Sequence, residues 1–175
     1  MNQKYVITGA PGTGKTTIIN ELQNRGFNCI HENSREIISQ QINKNGNILP
    51  WKNQIAFENK IAELRAKQYL SCKKESLYFF DRSALDCIAY LKVNNLKVTL
   101  EITNQIKKCN FNKKVFYTPF WKEIFMNDNE RKEDMIKAEK IENHIIKTYR
   151  SKGYQLISIP KISISERADF IISQL

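Results

Sequence analysis

An α/β fold with a parallel sheet covered by helices on both faces is the architecture this 175-residue chain predicts. Three observations carry that expectation. Short apolar segments alternate with helix-length amphipathic ones along the whole chain. One of them, Leu77-Tyr78-Phe79-Phe80, is a continuous apolar run that stops abruptly at Asp81-Arg82, as a strand buried on both faces does. The third is Gly9-Ala10-Pro11-Gly12-Thr13-Gly14-Lys15-Thr16, which fills every fixed position of the phosphate-binding pattern G-x-x-x-x-G-K-[S/T]. That pattern works only between a strand and a helix, and both are predicted there.

Taken in order, Tyr5-Val6-Ile7-Thr8 reads as a buried strand, and a helix opens at the end of the glycine loop and closes at Gly26. Residues 27–31 make a second strand ending at Glu32. Asn33 or Ser34 caps a helix from Arg35 to about Ile42, and the turn cluster Asn43-Lys44-Asn45-Gly46-Asn47 ends it. Leu49-Pro50-Trp51 leads into a long helix to about Lys73, with Phe57, Ile61 and Leu64 on one stripe and Ile55, Ala62 and Tyr69 on the next. Residues 77–80 are the third strand, and helices are predicted from about Ser83 to Val93 and from Thr99 to Lys108. Residues 114–117 form a fourth strand stopped by Pro119. A charged, irregular stretch precedes a helix to about Arg150, which Gly153 ends. Residues 154–159 are the fifth strand, and a last helix starts near Ser165. No repeat, low-complexity tract or linker interrupts the sequence, so residues 1–175 are expected to form a single domain.

Composition excludes several classes. Apolar residues at 41% and charged residues at 26% are ordinary for a globular protein. No apolar run approaches the roughly 18–20 residues that span a bilayer. The phosphate loop follows the amino terminus so closely that no signal peptide is expected, which points to a cytoplasmic protein. Cys29, Cys72, Cys87 and Cys109 stand singly, without zinc spacing, and read as reduced, mostly buried thiols. The net charge of +10 favours phosphorylated or polyanionic ligands, but the lysines are dispersed and no nucleic-acid module is recognisable.

Ligands of such folds bind at the carboxyl ends of the strands, so the chemistry is expected there. Residues Gly9, Pro11, Gly12, Thr13, Gly14, Lys15, Thr16 and Thr17 are the nucleotide-binding set. The backbone N–H groups from about Gly12 to Thr16 form an anion nest at a helix N-terminus, and glycines allow close approach of the phosphates. Lys15 reaches the terminal phosphates, and the Thr16 hydroxyl ligates Mg²⁺. Asp81 either holds the same Mg²⁺ or caps the next helix. Arg82 either clamps an anion or pairs with Asp86 at the surface. Glu32 and Arg35 either present a base and a cation to an acceptor, or serve the helix start and the solvent. Arg131, in a charged cover, either closes onto the phosphates or is solvated. Phe57, Trp51 and Trp121 either stack on a ring or belong to the core.

These residues carry a resemblance. The phosphate loop, residues 29–35, Phe80-Asp81-Arg82-Ser83 with Asp86 and Tyr90, residues 115–119, and the tail from Gly153 to Pro160 with Glu166-Arg167 cover nearly the whole chain. Together they resemble a family of small single-domain P-loop ATPases related to the nicotinamide riboside kinase domain and, more distantly, to nucleoside and nucleotide kinases. The resemblance implies strand order 2-3-1-4-5, ATP on the loop, Glu32 as base for a substrate hydroxyl, and Asp81-Arg82 as the kinase acidic-arginine pair. It also implies a short lid at about 119–135 carrying Arg131, and adenine near Pro160-Lys161.

Three functions follow as expectations. The first is a kinase moving the ATP γ-phosphate to a hydroxyl of a nucleoside-like acceptor, with Lys15, Glu32, Asp81, Arg82 and Arg131 catalytic and Glu32, Arg35, Phe57 and Arg82 on the acceptor side. The second is a nucleotide switch acting through a protein partner. Against it, no N-K-x-D signature occurs, and Asp81 is followed by Arg82 rather than by a water-activating Glu. A polynucleotide kinase rests on the charge alone.

Overall fold

The computed structural model describes residues 3–122 and 135–175. Five strands, β1 (Lys4–Gly9), β2 (Asn28–Ile30), β3 (Tyr78–Asp81), β4 (Lys114–Thr118) and β5 (Gln155–Ser158), pair in parallel in the order β2-β3-β1-β4-β5. The middle of the sheet is β1, paired from Lys4 with Tyr78 to Ile7 with Asp81 on one side and from Val6 with Val115 to Gly9 with Thr118 on the other. The expected order 2-3-1-4-5 is therefore the observed one. It places the phosphate loop at the centre of the carboxyl edge, between the ends of β3 and β4.

The helices are α1 (Lys15–Asn24), α2 (Ser34–Asn43), α3 (Gln54–Ser71), α4 (Ala84–Val93), α5 (Leu100–Lys107), α6 (Met135–Ser151) and α7 (Ile164–Ser173). Strand alternation divides the core between the two faces. Val6, Phe80 and Val115 join the cluster under α3, α4, α5 and α6, while Tyr5, Ile7, Phe79 and Phe116 join the one under α1 and α7. Each fully buried aliphatic or aromatic side chain contributes about 1.5–3 kcal/mol. Because β1 is buried at every residue, it anchors the loop that follows it. Among the described residues no helix is long and apolar enough to cross a membrane.

Element boundaries depart from the sequence pattern at helix starts. The long helix begins at Gln54 rather than near Pro50, because Leu49 accepts the N–H groups of Lys52 (3.0 Å) and Asn53 (2.9 Å) and closes a turn first. The Asn53 side chain then accepts the Ala56 N–H at 3.1 Å as N-cap. Trp51 is left in that turn, 56% exposed. Neither Asn33 nor any other side chain caps α2, although Asn33 occupies the N-cap position. Ser163 caps α7 in a reciprocal box with Glu166, two residues before the expected start. Cys72 and Cys87 are buried, but Cys29 and Cys109 are only half-buried, and all four are free thiols.

At Gly9, φ is +145°, and a Cβ built there would stand 2.5 Å from the Thr118 carbonyl oxygen. Only glycine lets β1 pass this close to the end of β4 and turn into the loop.

Candidate active site

The phosphate loop lies over one end of a cavity of about 1280 Å³. Pro11, Gly12, Thr13, Gly14, Lys15, Thr16 and Thr17 all line it; Gly9 lies beneath, shaping the turn. Gly12 (φ +74°) and Gly14 (φ +82°) adopt left-handed conformations that turn the intervening N–H groups inward. The Lys15 ammonium is buried and donates to the Ala10 carbonyl at 2.6 Å. Thr13 is held between the Ala10 carbonyl (2.8 Å) and the Thr118 hydroxyl (2.6 Å), tying the loop to β4.

Asp81 ends β3 directly beside the loop. Its Oδ2 accepts the Thr16 hydroxyl at 3.3 Å, while its buried Oδ1 has no hydrogen-bond partner. Burial, and then the nearby Glu32 charge, raise its pKa. A buried carboxylate oxygen left unpaired beside a hydroxyl is a hard-oxygen pair suited to Mg²⁺. Among the described residues no group of three or more His, Cys, Asp or Glu forms a metal cage. Mg²⁺ held by one carboxylate, a hydroxyl, phosphates and water needs none. The residues fit that ion.

Opposite the loop stands Glu32, at the end of β2. Its carboxylate accepts from Arg82 Nε at 3.1 Å, from Arg65 at 3.4 Å and from the Ser34 hydroxyl. Burial opposes its ionisation, but the two guanidinium groups outweigh burial and hold the carboxyl well below the usual glutamate range. Arg35, the expected neighbour, is exposed on α2 and lines the same cavity.

Arg82 is not the surface residue that a pairing with Asp86 implies. It is buried and pairs with Asp86 as well as Glu32: Nη1 donates to Asp86 Oδ1 at 3.0 Å and to the Gly9 carbonyl at 2.9 Å. Its backbone is left-handed, at φ +75°, a conformation costing about 1–3 kcal/mol for a side chain of this kind. That turn swings the guanidinium back under the loop, where three acceptors offset the strain. Its plane also lies 5.5 Å from the Tyr90 ring.

Asp86 anchors this arrangement. It is fully buried and accepts from Thr8 (2.6 Å), Tyr149 (2.6 Å), Arg82 and the Ser83 N–H (3.0 Å). Burial works against its charge, but Arg82 and then Arg65 depress its pKa. Asp86→Ala is expected to destabilise by about 3–5 kcal/mol, because it strands a buried guanidinium and two hydroxyls. Thermal melts should show a fall in Tm of roughly 10 °C. An unchanged Tm would remove Asp86 as the anchor. The depressed pKa makes its contribution present above the ordinary aspartate range and lost as pH falls below it.

Two groups escaped the sequence reading: Arg65 and Glu58, both on α3. Arg65 donates to Glu32, to the Ser83 carbonyl (3.0 Å) and toward the Cys87 sulfur (3.6 Å). Glu58 is buried, lines the cavity and bonds to the Cys87 thiol. Burial pushes its carboxyl up to about 7. The signal was present: residues 58 and 65 are two helical turns apart and interrupt the apolar stripe of Phe57 and Ile61.

Phe57 is buried in the core and also walls the cavity, so the two readings of it coincide. At the other end, Trp121 and Arg167 line the cavity with the guanidinium 4.5 Å from the indole centroid. Arg131 and most of the expected lid lie outside the described residues.

Compared with known proteins, residues 4–167 match a family model described as an AAA domain. The chain belongs to that AAA domain family. A search of curated proteins finds no match. Among solved structures, this AAA domain is similar to deoxyadenosine kinase from M. mycoides with products dCMP and dCDP bound. The two are 18% identical over 98% of this chain and 97% of that one, with a TM-score of 0.71. The NadR protein in complex with NR is similar at 12% identity and TM-score 0.76, over 99% of this chain and 51% of NadR. Thymidylate kinase from Ehrlichia chaffeensis is similar at 13% identity and TM-score 0.66, over 98% and 97%. The fold of the AAA domain is thus the fold of P-loop nucleoside and nucleotide kinases.

Proposed function

We propose that this protein is a Mg²⁺-dependent small-molecule kinase, transferring the γ-phosphate of ATP to a hydroxyl of a nucleoside-like acceptor. One observation carries the reading. A single cavity holds the phosphate loop with Lys15 on one side and, on the other, a carboxylate oriented by two arginines. Its volume exceeds the roughly 300–1,000 Å³ of a site for one small ligand, which suits a donor and an acceptor together.

In this reading the loop N–H groups and Lys15 cradle the donor phosphates, and Thr16 with Asp81 holds Mg²⁺, which neutralises charge on the phosphates when bound. Trp121, in the loop after β4, and Arg167, in the first turn of α7, bracket the adenine. Glu32 Oε2 or Oε1 accepts the acceptor's hydroxyl proton as the oxygen attacks, and Arg82 orients that carboxylate. A carboxylate of such low basicity takes the proton late, as a loose phosphoryl-transfer transition state allows. Arg35, exposed at the acceptor rim, is placed to meet an anionic part of the acceptor.

Incubation with Mg-ATP and a panel of nucleosides, nicotinamide riboside, other small alcohols and 5′-hydroxyl oligonucleotides tests the reading. A phosphorylated small molecule and ADP in equal amounts is the expected result. Nucleotide binding with no acceptor phosphorylated would overturn it. Omitting Mg²⁺ should abolish transfer.

A further inference from the structure

Glu58 has no part in the phosphoryl transfer described above, yet it is a buried carboxyl in the wall of the same cavity as Glu32. Phe57, Ile61, Tyr90 and Val93 line the cavity from α3 and α4, with the amides of Gln54 and Asn94 beside Tyr90. From Glu58 a polar chain runs back to the proposed base, through the Cys87 thiol to Arg65 and from Arg65 to Glu32. Glu32 and Glu58 therefore line one cavity and are joined by one polar network.

We propose that Glu58 reads the ring edge of the acceptor, and that this ring is an uncharged nucleobase presenting an adjacent hydrogen-bond donor and acceptor. The inference rests on the kinase reading for the acceptor's hydroxyl, and it adds the class of ring. Aromatic walls provide a slot for a flat ring. A carboxylic acid carries an O–H donor and a C=O acceptor side by side, complementary to the amide or amidine edge of a base. The same acid can be satisfied by ligand where apolar walls offer it nothing further.

Burial favours the neutral acid over the opposing pull of the neighbouring groups. Arg65 stands on the same helix, Cys87 on α4, Arg82 at the start of α4 and Glu32 at the end of β2. Burial is the largest influence and raises the Glu58 pKa to about 7, with Arg65, the Cys87 bond and Arg82 opposing and Glu32 reinforcing. Glu32 is already matched by two guanidinium groups. With Glu58 protonated, Glu32 and Asp86 are matched by Arg65 and Arg82, so no carboxylate at this end is left over to balance a cationic ring such as a pyridinium. Deprotonation removes the O–H donor and leaves a buried anion, so recognition of a neutral base weakens as pH rises through 7.

Calorimetric titration of the full chain without ATP, at pH 6 and pH 8, reads this directly. The probes are the adenine, guanine, cytosine, uracil and thymine nucleosides, and nicotinamide riboside as the cation. At least one neutral nucleoside is expected to bind, about tenfold more tightly at pH 6 than at pH 8, the change in protonated fraction for a group of pKa near 7. Glu58→Gln, which keeps a donor and an acceptor at every pH, should bind and lose that pH dependence. Glu58→Leu should lose tenfold or more in affinity at pH 6 while melting no lower than the parent.

Equal affinities at both pH values in the parent, or no effect of Glu58→Leu on binding, would overturn the assignment. So would tighter binding of nicotinamide riboside than of every neutral nucleoside, or no nucleoside binding at all. The kinase reading fails separately. Glu58-dependent nucleoside binding without transfer from Mg-ATP would refute the kinase and leave Glu58 standing. Transfer with no dependence on Glu58 would do the reverse.

Discussion

Lys15→Ala is expected to lower phosphoryl transfer by about 10²–10³-fold, the loss that follows removal of one preorganised charge from a developing anion. Lys15 is buried at the root of the loop, with its ammonium 2.6 Å from the Ala10 carbonyl. That bond holds the ammonium against the loop backbone. The substitution leaves Ala10 without this donor, at a cost of about 1 kcal/mol, so the fold should survive. Steady-state kinetics and nucleotide titration on the same preparation separate transfer from binding. Full activity with ordinary ATP affinity would mean that the loop does not hold the transferred phosphate.

Glu32→Gln is expected to reduce transfer by about 10²–10⁴-fold while ATP affinity stays nearly constant. Glutamine preserves the shape and one acceptor oxygen but cannot take a proton. Arg82 keeps Asp86 and the Gly9 carbonyl, so its position under the loop is retained. An unaltered kcat would remove Glu32 as the base. A second readout comes from linkage. The Glu32 pKa is depressed in the folded protein, so its stabilisation is present above the ordinary glutamate range and is lost as pH falls below it. Glu32→Gln should therefore flatten the acid side of the stability curve. Glu58 runs the other way: its raised pKa means the folded state loses stability as pH climbs from the ordinary glutamate range through about 7.

The proposed donor half of the site was legible because it is local. The loop from Gly12 to Thr16 depends on backbone conformation over a few consecutive residues, and glycine spacing encodes that conformation. The apolar run at residues 77–80 likewise announces a central strand, and its terminal Asp81 falls beside the loop once β3 pairs with β1. The proposed acceptor half is assembled from the loop after β2, from α3 and from the turn between β3 and α4, whose residues lie 33 positions apart from Glu32 to Arg65 and 50 from Glu32 to Arg82. Spacing along the chain carries no signal for such contacts. It suggested Arg35 as the partner of Glu32 because only near neighbours can be paired by spacing. The left-handed backbone at Arg82 was equally hidden, since nothing in its neighbours marks it.

By itself, the sequence determined that this protein has a parallel α/β sheet with a phosphate loop after its first strand, because strand and helix periodicity and glycine tolerance are properties of short segments. The tertiary structure alone decided that Arg82 and Arg65 converge on Glu32, that Asp86 holds Arg82 in place, and that Glu58 is buried in the wall of the same cavity. Those outcomes depend on which helix faces pack over the sheet, and burial then sets the charge of each group that the packing encloses.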